Sequence, residues 1–134
     1  MSLQYSGAVR DAQLDAVETV VGTSPKLQLR TGAPPADCAA ADSGTLLCEI
    51  TLPSDWMAAA SGGSKAKSGT WTGTGAAAGN AGHFRVKNTA GSTTHAQGTV
   101  TATGGGGDMT MDNINIAVSQ AVTVNTFTLT AGNA

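Results

Sequence analysis

Two histidines, His83 and His95, are the residues in this sequence best suited to metal chemistry, because imidazole is a common ligand of transition metals. They lie twelve residues apart in a segment whose alternation predicts a β-hairpin, and both have the parity of its polar face. A metal site of this type needs a third ligand, which the spacing does not supply. We therefore expect neither a metal centre nor a cofactor here.

A second pair of residues with chemical potential is Asp108 and Asp112, which follow the glycine run Gly104–Gly107. Their spacing does not match a calcium-binding EF-hand loop. The glycine run lacks the lysine and the following helix of a phosphate-binding loop, so we expect a flexible turn. The sequence also has no GxSxG nucleophile motif and no paired-carboxylate arrangement. These observations predict a protein that is not an enzyme.

The two cysteines, Cys38 and Cys48, are ten residues apart. They allow either a disulfide that pins the preceding loop to the next strand or two reduced thiols. The first residues, MSLQYSGAVRDAQ, lack the basic and apolar regions of a secretory signal. This favours reduced thiols and a cytoplasmic setting.

Composition narrows the class of protein further. The net charge is −2, and 12% of residues are charged with no basic stripe, so a nucleic-acid partner is not expected. No apolar window is long enough to predict a membrane span. Leucine, valine, isoleucine and phenylalanine supply 22 of the 134 residues, which predicts one domain with a thin core. Such a domain would gain stability from oligomerisation or from docking on a larger body.

One helix is predicted, from Ser6 to Gly22. Leu14, Val17 and Val21 recur at helical spacing, Ser6 can cap the first turn, and Gly22 can end the last. The apolar stripe has two possible roles: it packs on the rest of the domain, or it forms a partner-contacting arm.

Short strands and turns follow the helix. A loop with two prolines, Gly32–Gly44, is expected to be extended and to carry contacts. In the last strand, Val122 and Val124 differ in parity from Phe127, which predicts a bulge near residues 125–126. Predicted strands cover Leu27 and Leu29, residues 45–52, 70–74, 83–87, 93–100, 112–117 and 120–130.

The pattern of one helix and seven or eight strands predicts an all-β fold, an antiparallel β-sandwich or jelly roll. Residues 1–24 would form the helical arm and residues 25–134 the sandwich, within one domain.

Two basic patterns and two tryptophans require separate interpretation. In the hairpin, Phe84 and Val86 share one face and three basic or polar side chains share the other. Residues 58–69 are expected to form a flexible connection, with Lys65 and Lys67 on a solvated edge or facing an acidic partner. Trp56 and Trp71 are expected to anchor the sheet, the alternative being a platform that stacks on sugar rings.

Four segments carry a resemblance to a known family: RDAQLDAVETVVGTSPKLQLRTGAPP, LPSDWMAAASGGSKAKSGTW, AGHFRVKNTAGSTTHAQGTV and DMTMDNINIAVSQAVTVNTFTLTAGNA. Together they cover nearly the whole chain, and their order resembles the small jelly-roll capsid cement (decoration) proteins of short-tailed bacteriophages. The resemblance implies a non-enzymatic virion protein that is assembled in the host cytoplasm. It would clamp neighbouring copies of the major capsid protein on the outer capsid surface, commonly as a dimer or trimer.

The resemblance supplies no residue motif, so contact residues are predicted from the sequence itself. The candidates are the helix stripe (Leu14, Val17, Val21), the loop from Pro34 and Pro35 to Ala40, and the turn at Trp56 and Met57. A head-tail connector or tail protein is an alternative within the same class. A carbohydrate-binding β-sandwich module is an alternative from another class.

Overall fold

The computed structural model describes residues 3–131, which form one α-helix and eleven short β-strands. The helix, α1, spans Gly7–Val21. The strands are β1 Lys26–Arg30, β2 Leu46–Thr51, β3 Ser64–Ala66, β4 Trp71–Thr74, β5 Gly79–Asn80, β6 His83–Lys87, β7 Thr94–Ala102, β8 Met109–Met111, β9 Asn115–Ile116, β10 Ala121–Val124 and β11 Thr128–Thr130. The described chain is therefore all-β with one helix, in more and shorter strands than the sequence predicts.

Five strands form the main sheet, in the order β2-β1-β6-β7-β8. Strand β1 pairs antiparallel with β2 and β6, so Leu29 lies opposite Cys48 on one side and Phe84 on the other. Strands β6 and β7 form the predicted hairpin. Every residue of β6 is buried, which makes this strand the centre of the fold.

The remaining strands form three two-stranded pairs: β10 with β4, β11 with β3, and β5 with β9. Single bridges join the first two of these pairs to the main sheet, between Cys48 and Gly75 and between Thr110 and Thr126. The wall of strands curls around a core in which Trp71 lies 6.0 Å from Trp56 between ring centroids. Tryptophan and methionine side chains supply much of the core volume, which a count of aliphatic residues alone underestimates.

One strand pair departs from the expected antiparallel arrangement. Strands β7 and β8 run parallel, with Val100 opposite Met109, although only residues 103–108 connect them. Gly104 and Gly106 in this connection have φ of 89° and 80°, a left-handed conformation that glycine adopts without steric cost. The glycine run thus allows a reversal that is unusually tight for parallel strands.

The predicted ends of the helix are confirmed. The Ser6 hydroxyl accepts a hydrogen bond from the Val9 N–H, and the Gly22 N–H donates to the Glu18 carbonyl at 2.9 Å. The Trp56 indole N–H donates to the Gly22 carbonyl at 3.0 Å and so ties the end of the helix to the core.

Two predictions about the chain after the helix have different outcomes. The sequence predicts one last strand with a bulge near residues 125–126. In the structure the strand is instead interrupted: β10 ends at Val124 and β11 starts at Thr128. The interruption lets Val122, Val124 and Phe127 all be buried. The prediction that residues 58–69 are a flexible connection is wrong. They contain β3, which pairs with β11.

Candidate functional site

The polar face of the main sheet is covered by the loop of residues 32–44. Strand β6 directs His83, Arg85 and Lys87 to this face, and all three are buried. Three side chains of the sheet bond to the loop backbone: the His83 ring to the Gly32 carbonyl, Gln97 to the Pro35 carbonyl, and Arg85 to several carbonyls. We call this covered surface the loop-covered polar face.

Arg85 is the main attachment between the loop and the sheet. Its guanidinium donates to the carbonyls of Asp37, Cys38 and Ala40 at 3.0 to 3.2 Å and to the Asp42 carboxylate at 2.6 Å. Its side chain is 1% exposed. An arginine with this many bonds to one loop fixes the loop conformation, because each carbonyl would otherwise lose a charged donor.

The Asp42 carboxylate receives three cations. Its oxygens lie 2.6 Å from the nitrogens of Arg85 and Lys87 and 3.2 Å from a nitrogen of Arg30. Partial burial alone would raise the pKa of Asp42, but the hydrogen bonds from Lys87 and Arg85 and the charge of Arg30 outweigh it and hold this pKa below its ordinary value. The carboxylate therefore stays ionised at neutral pH.

The polar network continues toward the edge of the sheet. Arg30 donates to the Gln28 side-chain carbonyl at 3.0 Å, and the Gln28 amide donates to the Glu49 carboxylate at 2.7 Å. Two buried atoms near its centre, the Arg85 Nε and the Gln97 Oε1, have no hydrogen-bond partner among the described residues. They are a donor and an acceptor on residues that lie opposite each other in β6 and β7.

A cavity of about 320 Å³ opens beside this network, lined by Arg85, Lys87, Asp42 and residues 92–94. The charged groups in it are already paired with each other. Cys38 also lines the cavity, and both Cys38 and Cys48 carry free thiols. The arrangement holds a loop on a sheet.

A second charged cluster attaches the helix to β3. The Lys65 ammonium is 1% exposed and lies 2.6 Å from Asp15 and 3.0 Å from Glu18. Burial alone would lower the pKa of Lys65, but the hydrogen bonds to the two carboxylates outweigh it and raise this pKa above its ordinary value. The expectation that Lys65 lies on a solvated edge is therefore wrong, because its partners come from the helix fifty residues earlier.

The other charged residues of the helix also face its own domain. Asp11 accepts a hydrogen bond from the Gly63 N–H at 2.8 Å, and the Arg10 Nε donates to the Ala131 carbonyl at 2.6 Å. All charges of the helix thus serve to hold it on the strands.

The opposite side of the helix carries no charge. At 100° per residue its outer positions fall on one half of the helix, and all of them are exposed. These residues, which we call the outer helix face, are Ala8, Val9, Ala12, Gln13, Ala16, Thr19 and Val20. Val20 is 66% exposed. A solvent-facing helix surface normally carries charged or strongly polar residues, so this face has the character of a contact surface.

Most of the contact residues predicted from the sequence belong to the core. Leu14, Val21, Trp56 and Met57 are buried, between 1% and 6% exposed, and Val17 is half-buried against the core. The prediction that Leu14, Val21, Trp56 and Met57 meet a partner is corrected, because buried side chains have almost no surface to offer. For Val17, which lines a surface groove, it stays a prediction.

The predicted loop contacts remain at the surface. Pro34 and Pro35 lie half-buried in the loop that covers the polar face. They keep part of their surface, and whether a partner meets them stays a prediction.

The candidate metal ligands lie in different surroundings. His83 is fully buried and pairs with Thr99, whereas His95 lies at a bulge in β7 and lines a groove beside Val17 and Val21. The sequence pattern predicts that both histidines lie on the same face of the hairpin. The bulge shifts the register at His95, so this prediction fails. Within residues 3–131 no three histidine, cysteine or carboxylate side chains cluster as metal ligands would.

The five aromatic residues test the sugar-platform alternative. A platform would require Trp56 and Trp71 to lie side by side at the surface. They do lie side by side, but both are at most 1% exposed, and Phe84 and Phe127 are buried with them. Only Tyr5 is exposed, so the described aromatics form no stacking surface.

Comparisons with protein families, characterised proteins and solved structures gave no significant match. Among the described residues, the single helix is too short and too polar to cross a bilayer.

Proposed function

We propose that this protein is a non-enzymatic structural protein of a bacteriophage virion. In this proposal it is a capsid cement or decoration protein with a jelly-roll arrangement of strands, and it binds neighbouring major capsid subunits on the outer shell. The family resemblance of the sequence supports the class of protein. The uncharged outer helix face supports a role in binding rather than in chemistry.

The outer helix face is the observation that carries the proposal. Seven exposed positions on one side of a fifteen-residue helix lack charge, while the four charged residues bond to groups outside the helix, Asp15 with its side chain still 51% exposed. The helix is about 22 Å long, so this face offers an elongated, mostly apolar strip. Alanines at three of these positions would let another element approach closely.

The fold around this strip is suited to a passive structural role. All seven lysine and arginine side chains donate hydrogen bonds to other residues of the chain, mostly across distant segments. Specific interfaces bury roughly 800 Å² per partner. Many copies, each burying such an area, would stabilise a shell without any catalytic step.

The first experiment is to measure the number of copies of this chain per copy of the major capsid protein in purified particles, by quantitative mass spectrometry. A ratio near one, or another ratio set by a repeated capsid site, supports the cement role. About a dozen copies per particle would instead indicate a connector or tail protein, and absence from particles would overturn the virion proposal.

A matched pair of variants tests the surface itself. Ala12→Glu places a charge at the centre of the outer helix face, and Ala90→Glu places one in the exposed turn of the hairpin. Both are surface changes and should fold with stability close to that of the wild type. We expect Ala12→Glu to reduce binding to undecorated shells by about tenfold or more, and Ala90→Glu to have no effect.

A further inference from the structure

The wall of strands contains a gap between β7 and β11. Among residues 3–131, no ladder and no backbone hydrogen bond joins these two strands. A cavity of about 450 Å³ lies between them, lined by Ala96 and Gln97 of β7 and by residues 128–130 of β11. We call this cavity the strand slot.

Backbone groups of β7 face the strand slot without a strand partner. The Val100 N–H donates to the Gly82 carbonyl, on the side of β6. The Thr99 N–H points to the other side, where the Asp108 carboxylate accepts it at 2.9 Å. Since backbone direction alternates along a strand, the N–H and C=O of Gln97 also face the slot.

Strand β11 presents the matching edge. The Phe127 carbonyl and the Ala131 N–H bond to residues 67 and 63, on the side of β3. The same alternation turns the backbone groups of Thr128 and Thr130 toward the strand slot. Two open strand edges therefore face each other across one cavity.

The strand slot lies in line with β8, which occupies the same position farther along the wall. β8 pairs with β7 from Val100 onward, and its Thr110 bridges Thr126, which precedes β11. The space between β7 and the chain from Thr126 to β11 is thus filled by β8 at one end and is an open cavity at the other. The floor of the cavity includes Phe84 and Phe127, so an inserted strand would bury apolar side chains.

The segment before the helix has the properties of a strand that could fill this position. Leu3 is 70% and Tyr5 is 43% exposed, and Gln4 separates them, so in an extended chain both apolar side chains would point to one face. Extended β-structure rises about 3.3 Å per residue, so residues 3–5 match the length of β11, Thr128–Thr130.

The segment also leaves the fold at the rim of the slot. Arg10, in the first turns of the helix, bonds to the carbonyl of Ala131, immediately after β11. The segment therefore joins the helix close to the end of β11, which borders the strand slot. Two copies that face each other across a two-fold axis could exchange their segments reciprocally, as identical elements do in a closed isologous dimer.

We propose that residues 3–5 of a second copy add a strand between β7 and β11, forming a dimer by strand exchange. The backbone of residues 3–5 of the second copy would form hydrogen bonds with the backbone of Gln97 on one side and with that of Thr128 and Thr130 on the other. Leu3 and Tyr5 would cover the Phe84 and Phe127 floor. This inference does not depend on the capsid role, and copy number in particles tests that role separately.

Sedimentation velocity of the full chain over a range of concentrations tests the proposal. We expect the wild type to dimerise and Leu3→Asp to be monomeric, while Val118→Asp, a change at another exposed apolar residue, stays dimeric. Thr128→Pro removes an N–H that faces the slot, not β3, and should also give a monomer. Circular dichroism confirms that each variant is folded.

Disulfide trapping identifies the donor, in a Cys38→Ser background. Chains with Leu3→Cys are mixed with chains with Ala96→Cys and oxidised, and we expect a crosslinked dimer. A monomeric wild type would overturn the exchange, and so would a dimer that survives both Leu3→Asp and Thr128→Pro. A third chain carries both Leu3→Cys and Ala96→Cys. If the link forms only within this chain and not between the mixed chains, the exchange is also overturned.

Discussion

Replacing Arg85 with methionine should release the loop of residues 32–44 from the sheet. Methionine keeps most of the side-chain volume but removes the donors that hold the carbonyls of Asp37, Cys38 and Ala40. The loop has no strand or helix of its own, so these bonds are its main attachment to β6.

The size of the effect follows from what remains after the change. Removing one member of a buried ion pair typically costs about 3–5 kcal/mol. Here the cost is smaller, because Asp42 is 30% exposed and keeps Lys87 and Arg30 as partners. The freed carbonyls can also reach water once the loop lifts. We expect a loss of about 2–4 kcal/mol, which corresponds to a melting temperature lower by roughly 10 °C.

Thermal unfolding gives the global effect, and the reaction rate of the Cys38 thiol with a disulfide reagent reports on the loop. We expect Arg85→Met to lower the melting temperature and to speed the Cys38 reaction. Lys26→Met is the control, since its ammonium makes one exposed bond to Thr51. Unchanged thiol reactivity in a folded Arg85→Met protein would refute the assignment of Arg85 as the attachment of the loop.

Three further changes test other parts of the fold. Gly75→Ala would place a methyl group against the Ala117 carbonyl and should lower the free energy of unfolding by about 2 kcal/mol or more. The control is Gly7→Ala, whose methyl group meets no atom within 4 Å and should leave the stability unchanged or raise it. Urea denaturation measures both free energies. Because the pKa of Lys65 is raised in the folded protein, its charge contributes stability that is fully present below about pH 10.4 and is lost as the pH rises through the folded pKa. Lys65→Met should remove this alkaline loss. The free energy of unfolding should therefore differ less between pH 8 and pH 11 in the variant than in the wild type. Trp56→Phe removes the bond to the Gly22 carbonyl and should cost about 1 kcal/mol or somewhat more in thermal unfolding, and an unchanged melting temperature would contradict this.

The parts of the fold that sequence predicts well are those fixed by local chemistry. The helix ends follow from the capping hydroxyl of Ser6 and from Gly22, and the hairpin follows from alternation on both sides of a turn. The stripe of Leu14, Val17 and Val21 is correctly identified as the apolar side of the helix. Its role was open because the sequence does not say which side of a helix meets its own domain.

The parts that sequence misses depend on partners far along the chain. Lys65 is buried because Asp15 and Glu18 lie beside it, and Arg85 is buried because a loop more than forty residues earlier covers it. A charged residue predicts solvent exposure unless its partner is known. For the same reason, the sequence does not reveal the uncharged outer helix face: its meaning appears only when the charged residues of the helix are seen to bond to other parts of the chain.

The absence of charged residues from the outer helix face also sets how this surface should respond to solvent. Salt screens interactions between exposed charges, but the outer helix face has none to screen. Contacts made through it should therefore hardly change with ionic strength, should strengthen with sulfate or phosphate salts, and should weaken on cooling, as hydrophobic burial does. A particle joined in this way would tolerate large changes in salinity and would be most vulnerable in the cold.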